Sequence, residues 1–236
     1  MIALAASKVL VVAVVAGLSG LAITSSIDHR QDAAPAYETV PVKMPGESVL
    51  SVGRFEVSFA QWKACHDGGG CKYLPHPGVT PLPGPLPAIG VNHLDVRQYI
   101  AWINRRTGKH YRLPSAVEWQ AIAAEIPRTS NPKLFSDPRL AWAADYGSMP
   151  AVDPTMKVAG AFGYTTAGVA DLSGNVWEWT ATCSSQGFDE AACPAYRIEG
   201  AHETTLSIFI RNPAEGGCAV GAPPAHVGFR LVGEEE

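Results

Sequence analysis

Apolar residues are spread unevenly along the chain. Val9 to Ile23 is continuously apolar, inside an uncharged run that extends to Ile27. A spanning helix takes about 20 apolar residues and a signal-peptide core about 7–15, so residues 1–27 read as a signal anchor or a signal peptide. Gly17, Ser19, Gly20 and Ala22 suit a cleavage region, but no clean A-x-A site lies between them and the charges at Asp28 and Arg30. A buried core helix is the third reading; the other two place the rest of the chain outside the cytoplasm, with the membrane contacted through residues 9–27.

Residues 28–47 mix Pro, Ala and charges without a steady period and read as a linker, which puts the folded domain at 48–236. Val49 to Val57 alternates in part with period two, predicting a strand. Ser58-x-x-Gln61 then offers a capping box for a helix carrying Phe59 and Trp62, stopped by Gly68 to Gly70. Leu74 to Pro87 holds six prolines and predicts an extended crossing segment, either a spacer or a contact surface. Val96, Tyr99, Ile100 and Ile103 share one face of a helix after Asn92-His93-Leu94-Asp95, with Thr107-Gly108 as its stop. Ser115-x-x-Glu118 opens another helix, with Val117, Ile122 and Ile126 expected inward and Pro127 as its end. Later strands are expected around Val169 to Leu172, Trp177 to Thr182, Leu206 to Arg211 and Val227 to Val232. The sum is an α+β domain of short elements and long loops.

Composition sharpens this picture. The 236 residues carry 23 Gly, 19 Pro and a net charge of −4, with no run of Lys or Arg, so the electrostatic footprint for nucleic acid is missing. Cys65 and Cys71 bracket a Gly-rich loop that a disulfide would close. Cys183, Cys193 and Cys218 complete an odd set of five whose pairing is left open. A metal reading of Cys65, His66 and Cys71 lacks a second ligand pair at structural-zinc spacing. No G-x-S-x-G or H-E-x-x-H occurs, which removes the common hydrolase signatures.

Four segments together resemble the signature blocks of the formylglycine-generating enzyme (sulfatase-modifying factor) family: Phe55 to Trp62, Gly108 to Trp119, Asp171 to Thr180, and Gly228-Phe229-Arg230-Leu231-Val232. They fall in the family's order and cover nearly the whole domain from about residue 48. The resemblance implies a loop-rich variant of the C-type-lectin-like fold. It also implies a structural calcium ion held by the side chains of Asp171 and Glu178 and the carbonyls of Gly174 and Val176, chemistry that suits an oxygen-ligand ion. The alternative reading of the same residues has Asp171 capping a turn and Glu178 paired with an arginine such as Arg230. Asp145-Tyr146 is a weaker match to a second site.

The resemblance fails at the chemistry. Family oxidases bind copper through two cysteines shortly after a Gly-Gly-Ser turn, because soft sulfur selects Cu(I). Here that turn reads Glu199-Gly200-Ala201, and the cysteine positions fall near Thr204 and Phe209, so copper is not expected. Iron-dependent relatives rely on a His-rich motif in an extra helical domain that this chain lacks. Cys218 reads as structural or unpaired. The reading is therefore a non-catalytic accessory or binding domain, with a protein partner or membrane complex expected and a glycan as the other ligand class. The alternative is a divergent metal-dependent oxidase of the same family that modifies a partner protein through a relocated site at His202, Glu203 and His226.

Overall fold

The computed structural model of the chain describes residues 36–76, 84–127, 156–185, 188, 192–200, 204–212 and 226–234. Among these residues no helix is long and apolar enough to cross a membrane; the apolar segment at residues 9–27 lies outside them. Mixed α and β structure is present, with three helices and two sheets among the described residues.

The helices start where their side chains can satisfy the free amides of a first turn. Helix α1 (Phe59–Asp67) is capped by Ser58, whose hydroxyl accepts from the Gln61 amide while Gln61 Oε1 accepts from the Ser58 amide. Helix α2 (His93–Thr107) carries the same box on Asn92 and Asp95, and stops at Gly108, whose φ of 69° is left-handed. Helix α3 (Ala116–Ile122) is boxed by Ser115 and Glu118. It is shorter than expected, and Val117 is 76 % exposed where the periodicity placed it inward. Ala116, Trp119 and Ile122 face the core instead, at spacings of three. The large indole of Trp119 takes the buried side and turns Val117 outward.

The first sheet joins β1 (Thr39–Lys43), β2 (Val49–Gly53) and β7 (Val232–Glu234) in the order β1-β2-β7. Strand β1 falls within the stretch expected as linker and pairs along its whole length with β2, from Thr39 opposite Gly53 to Lys43 opposite Val49. The second sheet has the order β5-β4-β3-β6, built from β3 (Trp177–Cys183), β4 (Ala195–Glu199), β5 (Thr204–Ser207) and β6 (Val227–Gly228). The expected strand at Val169 to Leu172 is a turn, entered by a single bridge between Tyr164 and Ala170 and bent by Asp171 at φ 63°. Strand β4 has no counterpart among the expected elements.

Trp62, Tyr99 and Phe229 form the centre of the larger core. Trp62 stacks on Tyr99 at 5.6 Å and meets Phe229 edge-on at 5.9 Å. Two disulfides pin the loops around it: Cys65–Cys71, as the short Gly-rich loop suggested, and Cys183–Cys193 across β3 and β4. Between β6 and β7, Phe229 and Leu231 point into this core, and backbone bonds from Gly53 to the Leu231 carbonyl and from Val57 to the Phe229 carbonyl fix them. Residue 230, between them, faces the other way.

Candidate functional site

Arg230 is fully buried, and the two-residue period just described aims it at β3. All five of its N–H donors are engaged. Nε donates to both oxygens of Glu178 at 2.9 and 2.7 Å. Nη2 reaches Glu178 Oε1 at 2.5 Å and the Ala170 carbonyl at 3.0 Å. Nη1 reaches the carbonyls of Gly53 at 3.0 Å and Arg54 at 3.4 Å. The Trp119 indole adds a bond to Glu178 Oε2 at 2.8 Å. Burial alone would lower the guanidinium pKa, but the Glu178 carboxylate outweighs it and holds Arg230 above its ordinary value. One ion pair thus ties together β2, the turn before Asp171, α3, β3 and the β6–β7 link.

Asp171 belongs to a separate set of bonds. Its Oδ2 accepts from the Gly160 amide at 2.5 Å and its Oδ1 from the Phe162 amide at 2.8 Å. The Gly174 carbonyl accepts from the Val176 amide at 3.0 Å. A Cβ at Gly174 would come within 2.4 Å of the Phe162 ring, so close packing already explains that glycine. The four residues expected to hold calcium are therefore neighbours along one turn, with Asp171 serving backbone amides and Glu178 serving a guanidinium and an indole. Carboxylates aimed at five N–H donors do not make a cation cage, and in this arrangement the residues do not fit the ion. They do match the alternative, a turn cap and an Arg230 pair.

Two further buried groups escaped the sequence reading. Glu56 is 3 % exposed, and neither carboxylate oxygen has a hydrogen-bond partner. Burial pushes its pKa up to about 8; Arg230 pulls it down, while Glu178 and Asp171 reinforce the rise. Its only sequence signal is a charge set between Phe55 and Val57. Tyr37 closes the same region, its hydroxyl accepting from the Leu231 amide at 2.7 Å and donating to the Phe55 carbonyl at 3.3 Å. His93, at the start of α2, stacks on Tyr196 with centroids 3.6 Å apart and touches the Thr180 carbonyl through Nε2 at 3.2 Å. Its Nδ1 has no partner, and burial first, then Arg97, lowers its pKa to about 4.

The positions expected for copper-binding cysteines lie on and just after β5. Thr204 pairs with Ile198 of β4, and Phe209 is 67 % exposed in the turn that follows, its carbonyl accepting from Asn92 Nδ2. Arg211 anchors that turn by bonding both oxygens of Asp95, at 2.8 and 3.1 Å, with its guanidinium 4.0 Å from the Tyr73 ring centre. Glu199 is buried opposite Glu178 in the β3–β4 register and accepts from Gln120 at 2.9 Å. Gly200 packs under Trp177, where a Cβ would come within 2.9 Å of the ring. The His226 carbonyl accepts from the Trp177 amide. His202, Glu203, Cys218, Asp145 and Tyr146 lie outside the described residues.

Comparison with family models matches residues 29–235 to the sulfatase-modifying factor enzyme 1-like domain. Comparison with curated proteins finds no match. Among solved structures, PvdO from Pseudomonas aeruginosa is 20 % identical with a TM-score of 0.54, covering 85 % of this chain and 92 % of its own. CarF is 17 % identical with a TM-score of 0.52, covering 85 % of this chain and 99 % of its own. At such identities the likeness is one of fold.

Proposed function

The chain belongs to the family of sulfatase-modifying factor enzyme 1-like domains, and from that premise we propose that it is a non-catalytic member acting as a binding or accessory domain outside the cytoplasm. What supports this reading is the contrast between an intact framework and its chemistry: the Glu178–Arg230 pair is complete, while the resemblance puts the family's copper cysteines near Thr204 and Phe209, neither of which carries a thiol. A hydroxyl and a phenyl ring cannot replace soft sulfur at Cu(I). Folds persist when their chemistry is lost, so a retained scaffold is no evidence of retained oxidation.

Two disulfides favour an oxidising compartment, and residues 9–27 supply the tether that holds the domain at a membrane. The loop-rich framework is of the C-type-lectin-like kind, and the partner is a protein, as a subunit of a membrane or periplasmic complex; a glycan is the second ligand class. Calcium has no role in this reading, because Asp171 and Glu178 already have protein donors.

Oxygen uptake tests it. The full-length protein, supplied with Cu(I), a reductant and a cysteine-bearing peptide, is expected to consume oxygen no faster than the same mixture without protein. Peptide-dependent uptake that tracks protein concentration would reject the proposal and make the relocated oxidase the better account.

A further inference from the structure

From Val158 to Ala170 the chain carries no charged side chain, and part of this run reaches solvent: Ala161, Phe162, Gly163 and Tyr164 are exposed in succession. Phe162 is 41 % and Tyr164 55 % exposed. Two large rings in an uncharged, exposed run are costly to leave in water, and such runs mark contact surfaces. Backbone bonds hold the loop in shape. The Gly163 carbonyl accepts from the Asp171 amide at 3.0 Å, and the Asp171 carboxylate takes the amides of Gly160 and Phe162. Gly160 and Gly163 turn at φ 89° and 91°, which favours glycine at both.

The rings stand beside the segment through which the chain enters the described fold. Tyr164 meets the Phe55 ring edge-on at 6.3 Å, and the Arg54 guanidinium lies 5.9 Å from the Tyr164 ring centre. The Arg54 amide bonds the Glu38 carbonyl, the Tyr37 hydroxyl donates to the Phe55 carbonyl, and Ala36, Phe55 and Ala159 line one cavity. Eight residues, 28–35, separate Ala36 from the apolar segment at 9–27. An extended chain gains at most about 3.6 Å per residue, so the covalent link alone keeps residue 36 within about 30 Å of the end of that segment.

This short link selects the occupant. Glu38 is paired with Arg54, Glu125 accepts from the Thr166 amide at 2.8 Å, and Asp171 is buried, so the acids around the loop already have donors or lie inside. A phenol and a phenyl ring on small residues, with the cationic side chains of Arg54 and Lys157 at the margin, have the chemistry that settles at the headgroup level of a bilayer.

We propose that the loop at 158–167 is a membrane-docking surface, which sets the rings of Phe162 and Tyr164 into the headgroup region of the bilayer that holds residues 9–27. The proposal rests on the reading of that segment as a tether. Tethering makes the docking intramolecular, so a contact too weak to hold a free domain is enough. A second point of attachment then restricts rotation of the domain about its tether.

The test is lipid photo-crosslinking. Full-length protein is reconstituted into phosphatidylcholine vesicles containing a phosphatidylcholine with a diazirine near the glycerol end of one acyl chain, irradiated, and mapped by mass spectrometry. Adducts are expected on residues 9–27 and on 158–167, with far fewer around Phe209, a comparator that is 67 % exposed. Changing Phe162→Ser and Tyr164→Ser together is expected to lower the loop adducts at least about fivefold and leave those at 9–27 unchanged, with unfolding midpoints confirming the fold. Phe162→Leu, which keeps an apolar side chain, should retain most of them. Adducts at 9–27 with none on the loop would overturn the docking surface and leave the tether standing. Loop adducts with none at 9–27 would support the docking surface and reject the tether, and none at either would reject both. Equal labelling around Phe209, or unchanged labelling in the double variant, would also overturn the proposal.

Discussion

Glu178 and Glu56 are buried to nearly the same degree, at 1 % and 3 % exposed, yet they sit in opposite chemical situations. Glu178 accepts from a guanidinium and an indole, and five separate segments converge on its pair with Arg230. Glu56 accepts no hydrogen bond from another residue, and burial raises its pKa to about 8. Burial alone therefore does not say whether a carboxylate serves the fold. The donors around it do: a saturated one holds the framework together as an anion, and an unsatisfied one is driven toward its neutral form.

The largest test of that contrast is Arg230→Met. It strands Glu178 in the core and is expected to remove roughly 3–5 kcal/mol in urea unfolding. Adding Glu178→Leu should recover most of the loss, because replacing a buried pair with apolar groups is often neutral. If the single variant is as stable as the parent, the pair is not the tie described here.

His93 gives the next effect. Its pKa falls from 6.5 in the unfolded chain to about 4 in the folded one, so the unfolded state binds more protons between these values. Stability is then complete above pH 6.5 and declines as pH falls toward 4, by roughly 3 kcal/mol in all. His93→Phe should flatten that slope in unfolding curves taken across the window. Glu56 has the opposite sign: its raised pKa makes stability fall as pH rises from 4.5 to about 8, and Glu56→Gln should remove that decline.

Reducing the two disulfides should cost about 2–3 kcal/mol each, since the closed loops are short, and the loss should appear as a lower thermal midpoint. Smaller still is the change expected from Glu56→Met, a gain on the order of 1–2 kcal/mol at neutral pH from removing an unsatisfied buried acid. A chelator such as EGTA is expected to leave the midpoint where it was. A fall would put an ion on Asp171 and Glu178 and displace Arg230 from the arrangement described.

Legibility in the sequence followed the range of the interaction. The boxes at Ser58 and Ser115 could be read because a capping bond spans three residues. A pairing of Glu178 with an arginine such as Arg230 was legible only as the alternative to a calcium site, because 52 residues separate the two. Strand β1 could not be read from its Pro-rich, weakly alternating stretch, because its strand character comes from the register with β2. Val117 was misplaced because the indole two residues on decides which side of α3 is inward. Glu56 and His93 gave no signal because their burial is made by distant segments: the Thr180 carbonyl facing His93 is 87 residues away.

The account turns on the claim that this scaffold has kept its framework and given up its transition metal. Elemental analysis of the full-length protein, purified without added metal and dialysed, tests it most directly. The prediction is copper, iron and zinc all far below one per chain, in a protein whose unfolding remains cooperative. One equivalent of any of the three, lost on mutating His202, Glu203 or His226, would contradict the claim and move the active site to the segment that follows β4.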